Sequence, residues 1–147
     1  MGTPLSWSSR IKWPKLDEKN HTITSDVTPN YNCIAWAYEI SNKKMWPGVP
    51  DYYWPSDASA SDELAAIIQL YLDAGYERCE KGDLESGYKK VAIYTDQDGP
   101  QHAALQLESG KWTSKLGKLQ DIEHDSTDDL EGELYGKVSV FLKKRRG

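Results

Sequence analysis

The chain has 147 residues and a formal net charge of −5, the size of a single domain and without the basic surplus of a nucleic-acid binder. No apolar run approaches the ~20 residues that cross a bilayer, and the opening MGTPLSWSSRIKWPK lacks the apolar core of a secretory signal. The expectation is one domain over 1–147, cytoplasmic, with neither nucleic acid nor membrane as partner. Phe occurs once against six Trp and nine Tyr. Rings that bury roughly 150–250 Å² each therefore have to build much of the core.

Residues 1–30 are polar and broken by Pro4, Pro14 and Pro29. They read as an extended arm that lays Trp7 and Trp13 on the body, with a short strand at His21–Thr24. Asn32 is a good N-cap, and Ile34, Ala37 and Ile40 follow at helical spacing, which predicts a helix over 32–41. Residues 42–58 form a loop rich in Pro and Gly that carries Trp46, Tyr52, Tyr53 and Trp54. A second helix over 61–74 is capped by Ser59 or Ser61, ended by Gly75, and buries Leu64, Ile67, Ile68, Tyr71 and Leu72.

After Gly75 the apolar period shortens to two. Strands are predicted at Tyr76–Glu80, Lys89–Thr95 and His102–Glu108. A tight Ser109-Gly110 turn then leads into Lys111–Lys115. Residues 117–132 read as a polar, acidic loop. Gly136–Lys143 is the closing strand, and 143–147 a basic tail in solvent. Helices followed by antiparallel strands make an α+β fold, with N-terminal helices packed on an antiparallel sheet.

Two residues stand where chemistry is expected. Cys33 follows the N-cap in the first helical turn, where the partial positive charge lowers a thiol's pKa below its free value of about 8.5. His102 opens a strand. A helix-borne Cys with a strand-borne His is an order used by cysteine hydrolases, in which the imidazole takes the thiol proton and returns it to the leaving group. Ser114, on the hairpin partner of the His strand, is placed to orient His102; His124 and Asp121 are rival orienters. Tyr31 and Asn32 lie where a hydroxyl or amide would join the backbone N–H groups in an oxyanion hole. Trp46, Tyr53 and Trp54 are candidates for a substrate groove. The alternative is a catalytically inactive interaction module of toxin or immunity type, docking through the aromatic loop 46–54 and the acidic loop 121–129. A weaker alternative gathers Cys33, His102 and His124 around a metal. Cys79, in a charged stretch, reads as structural. With no CxxC and no HExxH, no metal or other cofactor is expected.

The segments YNCIAWA and HAALQLESGKWTSKLG resemble the papain-like fold, most closely its NlpC-type peptidase and CHAP amidase branch. That resemblance implies Cys33 as nucleophile, His102 as base and Ser114 in the third position. Serine there replaces the His, Asn or Gln usual in the branch, and Asn-Cys-Ile-Ala replaces Asp-Cys-Ser-Gly. The implied activity is hydrolysis of an amide bond in a peptide or protein by a peptidase, amidase or deamidase. Residues 20–142 also resemble an uncharacterised bacterial family marked by YNCIAWA, HAALQL and WTSKLG.

Overall fold

The computed structural model describes residues 13–17, 19–47, 49, 51–55, 63–116 and 120–146. Trp7 and the expected cap at Ser59 or Ser61 lie outside them. The described elements are β1 (His21–Ile23), α1 (Cys33–Ala37), α2 (Glu63–Asp73), β2 (Glu77–Cys79), β3 (Tyr88–Asp96), β4 (Gly99–Gln106), β5 (Trp112–Lys115), β6 (Asp121–His124), a 3-10 turn (Thr127–Leu130) and β7 (Lys137–Arg145). The strands form one seven-stranded sheet in the order β1-β6-β5-β4-β3-β7-β2, and all pairs are antiparallel. The α+β class is thus the one read from the sequence.

Strand alternation divides the core between the two faces of this sheet. Val91 and Ile93 of β3 and Ala103 and Leu105 of β4 face α1 and α2. On α2, Ile67, Ile68, Leu70 and Tyr71 are buried, each contributing about 1.5–3 kcal/mol of apolar burial. Ala92, Tyr94, Ala104, Trp112 and Ile122 face the other way. That side is covered by Trp13 and Leu16 of the N-terminal arm and by Leu130 and Tyr135.

Three expectations change. The first helix stops after five residues, at Ala37. The N–H of Ile40 bonds to the carbonyl of Ala35 and that of Glu39 to the carbonyl of Trp36. Glu39 takes the left-handed conformation, φ 65°. This is a Schellman cap with Glu39 in the place usually held by glycine, so the apolar period ran past the true end. Second, the acidic loop contains a strand. The sequence DIEH of β6 has one apolar residue, yet Asp121, Ile122 and His124 are all buried between β1 and β5. Third, the basic tail is not free. Lys143, Lys144 and Arg145 belong to β7, and Arg146 donates to the carbonyls of Tyr88 and Gln106.

The turn into β7 depends on one glycine. Gly132 and Gly136 exchange backbone hydrogen bonds at 3.1 and 2.7 Å, with Tyr135 held in the loop between them. Gly136 has φ +76°, and a Cβ there would overlap the carbonyl oxygen of Thr95. Gly136→Ala is expected to destabilise the protein by about 3 kcal/mol, from left-handed strain plus the clash. A urea midpoint within error of wild type would show that the loop relaxes instead.

Candidate active site

Asn32 fixes the start of α1. Its Oδ1 accepts the N–H groups of Ala35 (3.2 Å) and Met45 (3.0 Å), and its Nδ2 donates to the Met45 carbonyl (2.7 Å). The amide is therefore committed to capping and to holding the aromatic loop, which removes it from the oxyanion role. The Tyr31 hydroxyl is also committed, since it donates to the Asp121 carboxylate.

Cys33 follows on the buried face of α1, 8% exposed. The backbone N–H groups of Ala103, Ile34 and Cys33 itself act on its sulfur in favour of the thiolate, as does the Lys115 ammonium. Burial outweighs them and pushes the thiol up to about 11. The expected low thiol pKa is therefore not found. A helix of five residues aligns too few peptide dipoles to offset the loss of water around the sulfur.

The neighbour of Ala103 is His102. Beyond the pairs Leu105↔Thr113 and Gln106↔Trp112 the ladder between β4 and β5 ends, so the strands part beside Ala103. Cys33 comes to this opening from the helix side. His102 packs on the other side, opposite Tyr94 in the β3–β4 register. Its ring stacks on Tyr135, with centroids 4.1 Å apart and planes at 7°, and meets Tyr94 edge-on at 5.2 Å. No hydrogen bond joins Cys33 to His102, and His102 Nδ1 is buried without a partner.

The other ring nitrogen begins a chain of hydrogen bonds. His102 Nε2 lies 3.0 Å from Ser114 Oγ, Ser114 Oγ lies 2.8 Å from His124 Nε2, and His124 Nδ1 lies 2.8 Å from the Ser126 carbonyl oxygen. A carbonyl only accepts, which fixes the polarity of the whole chain. His124 must carry its proton on Nδ1. Burial lowers its pKa to about 4, so at neutral pH its Nε2 is a bare acceptor. Ser114 therefore donates to His124 and accepts from His102 Nε2–H. Burial also pushes His102 well below its usual range, so that ring too is neutral. What remains on His102 is a lone pair at Nδ1, turned to a base by hydrogen bonds that run away from it.

Ser114 is thus the direct partner of His102, and His124 acts through it. Asp121 is not an orienter. It lies in register with Lys115, and its carboxylate takes the Tyr31 hydroxyl. Lys115 is fully buried, its ammonium 5.3 Å from the Tyr31 ring centre. His102 and His124 both turn Nε2 to Ser114 rather than toward Cys33, and among the described residues no group of three His, Cys, Asp or Glu is placed to hold a metal ion. That overturns the Cys33–His102–His124 metal arrangement. Tyr135 was missed. Its sequence signal was the pair of glycines, Gly132 and Gly136, that tie off its loop.

Of the expected groove residues, Trp46 and Trp54 pack on the helix-side core, and Trp46 Nε1 donates to Glu63 (2.6 Å). Tyr53 is exposed, with the Lys43 ammonium 4.2 Å from its ring centre. A cleft of about 280 Å³ lies nearby, lined by Trp36, Glu39, Ser41, Leu105, Leu107 and Thr113, without those three aromatics. Among the described residues no helix is long and apolar enough to cross a membrane.

The fold and this buried polar chain define an α+β protein with a single antiparallel sheet and a Cys, two His and a Ser gathered around its β4–β5 opening. The chain belongs to the family described as a domain of unknown function (DUF7689), which matches residues 22–143. No curated protein and no solved structure matches it significantly.

Proposed function

We propose that this protein is a cysteine-dependent hydrolase of an amide bond, with a papain-like arrangement of the NlpC or CHAP kind. The observation that supports it most is the bare, buried Nδ1 lone pair of His102. Buried polar atoms are nearly always hydrogen-bonded, and this one is left open beside the strand residue whose N–H acts on Cys33. Cys33 attacks the carbonyl of a peptide or protein amide while His102 Nδ1 takes its proton. The backbone N–H groups of Cys33 and Ile34 receive the oxyanion. His102 then gives the proton to the leaving amine, and water hydrolyses the acyl-cysteine. The scheme uses no cofactor. Trp46, Tyr53 and Trp54 are retained as the rim that receives substrate, and the compartment proposed is the cytoplasm.

The second reading, an inactive module that docks a protein partner, has its own support in the raised thiol pKa and the missing Cys33–His102 hydrogen bond. The two readings separate in the alkylation rate of Cys33 by iodoacetamide against pH, read by mass spectrometry in a Cys79→Ala background. With His102 acting as base, the rate is expected to be nearly flat between pH 6 and 9. His102→Ala should lower it at pH 7 at least about tenfold, since general-base assistance is worth roughly 10²–10⁴. The variant should then climb about tenfold per pH unit toward the thiol pKa of about 11. Superimposable profiles would sink the hydrolase and leave the docking module.

A further inference from the structure

We infer that His102, Ser114 and His124 form a proton wire whose cationic end is His124, so that the proton leaving Cys33 comes to rest as a charge on His124 rather than on His102. The functional half of this rests on the Cys33–His102 pairing proposed above; the wire itself does not.

Each step balances. The S–H bond of Cys33 breaks and an N–H bond forms at His102 Nδ1. The proton on His102 Nε2 passes to Ser114 Oγ across 3.0 Å, and the proton Ser114 held passes to His124 Nε2 across 2.8 Å. The products are a thiolate, a neutral His102 in the opposite tautomer, and an imidazolium at His124. His102 then offers Nδ1–H to the leaving amine, and the wire runs backward to refill it.

The surroundings of the two rings decide where the charge sits. His102 is fully buried and is enclosed by Tyr135 from the Gly132–Gly136 loop, Tyr94 from β3 and Ser114 from β5. None of these carries a charge in the resting protein. His124 already donates Nδ1–H to the Ser126 carbonyl, a bond that strengthens when the ring is charged. Asp125 follows it in the chain and favours its cation. Asp129 reaches the same turn, its Oδ2 accepting the Ser126 N–H at 3.0 Å. Against them stands His21, opposite on β1, whose Nδ1 is engaged with the Asp17 carbonyl. Burial lowers both rings, and at His124 the Ser126 carbonyl and Asp125 act against it in favour of the cation.

The wire can be read without a substrate. In the full chain labelled with ¹⁵N-histidine, neutral pH should show His102 as the Nε2–H tautomer and His124 as the Nδ1–H tautomer. On acidification the first proton of this pair should appear on His124 Nε2. His102 should switch to the Nδ1–H tautomer with the same midpoint, because Ser114 turns its hydroxyl around. In Ser114→Ala the His102 tautomer should no longer follow His124, and Ser114→Thr should restore the coupling. A first proton on His102, or a His102 tautomer unchanged across the His124 midpoint in the wild type, would overturn the wire. If the fold opens before that midpoint, the solvent isotope dependence of Cys33 alkylation at pH 7.5 decides instead. A curved dependence on deuterium fraction in the wild type, linear in Ser114→Ala, supports several protons in flight; a linear one in the wild type refutes them. Failure of the hydrolase shows separately, as alkylation indifferent to His102→Ala with the tautomer switch intact.

Discussion

Lowering the pH from 6.5 to 4 is expected to cost the folded protein about 3 kcal/mol through His124 alone, since its pKa falls from 6.5 to about 4 on folding. The sign follows from proton uptake. Above pH 6.5 the ring is neutral in both states and contributes no pH dependence. Between 6.5 and about 4 the unfolded chain binds a proton that the folded one refuses, so stability drops across that window and levels off below it. His102 acts in the same direction, because burial also lowers its pKa on folding. Asp121 and Asp129 oppose both, because burial raises their carboxyl pKa and the folded state takes up those protons first. The His124 part is isolated by comparing urea unfolding of the wild type and His124→Gln at pH 7 and pH 4.5. The stability gap between them should change by about 2–3 kcal/mol in favour of the variant as the pH falls. A gap that does not depend on pH would mean that His124 is solvated in the folded protein.

Tyr135→Ala is expected to be the most damaging substitution near the site. Removing a buried aromatic side chain costs about 3–5 kcal/mol. Tyr135 also packs against Trp13 and Tyr94, at centroid distances of 5.5 and 6.3 Å, so its loss undermines the core on the side away from the helices. Stability alone would not separate a packing role from a role at the imidazole. The second effect is on His102, whose stacked face would open to water and whose pKa would rise toward its ordinary value. Tyr135→Phe keeps the stacking and should cost less than about 1.5 kcal/mol, with the His102 titration unchanged. If Tyr135→Ala left that titration where it was, the ring would be shown not to shield the base.

Much of this was readable from residue order because the strands that build the centre of the sheet have alternating patterns. Lys89–Thr95 and Lys111–Lys115 were placed nearly as they stand, and with them the neighbourhood of His102 and Ser114. What could not be read came from interactions between distant residues. β6 carries one apolar residue and is held by what its neighbours do with its polar ones: Asp121 receives Tyr31, and His124 receives Ser114. Glu39 ends α1 in a conformation that gives no signal in a side chain unsuited to it. The thiol was misjudged because the effect of a helix start can be read from local sequence, whereas the depth of burial at Cys33 depends on β4 and β5. Asn32 was recognised as a cap, but its grip on Met45, thirteen residues ahead, was not.

The strand order has a consequence for assembly. Both outer strands, β1 and β2, precede the β3–β6 meander in the chain, yet each rests on a partner made much later: Thr22 lies opposite Glu123, and Arg78 opposite Leu142. During synthesis these segments emerge long before anything exists for them to pair with. The meander from β3 through β6 involves only short-range pairings, the kind that form fastest. It is expected to gather first, with β7 closing on β3 and the early strands docking last. His124 therefore meets His21, and Cys33 loses its water, only at the end of folding. Until then the nascent chain carries an ordinary, exposed thiol.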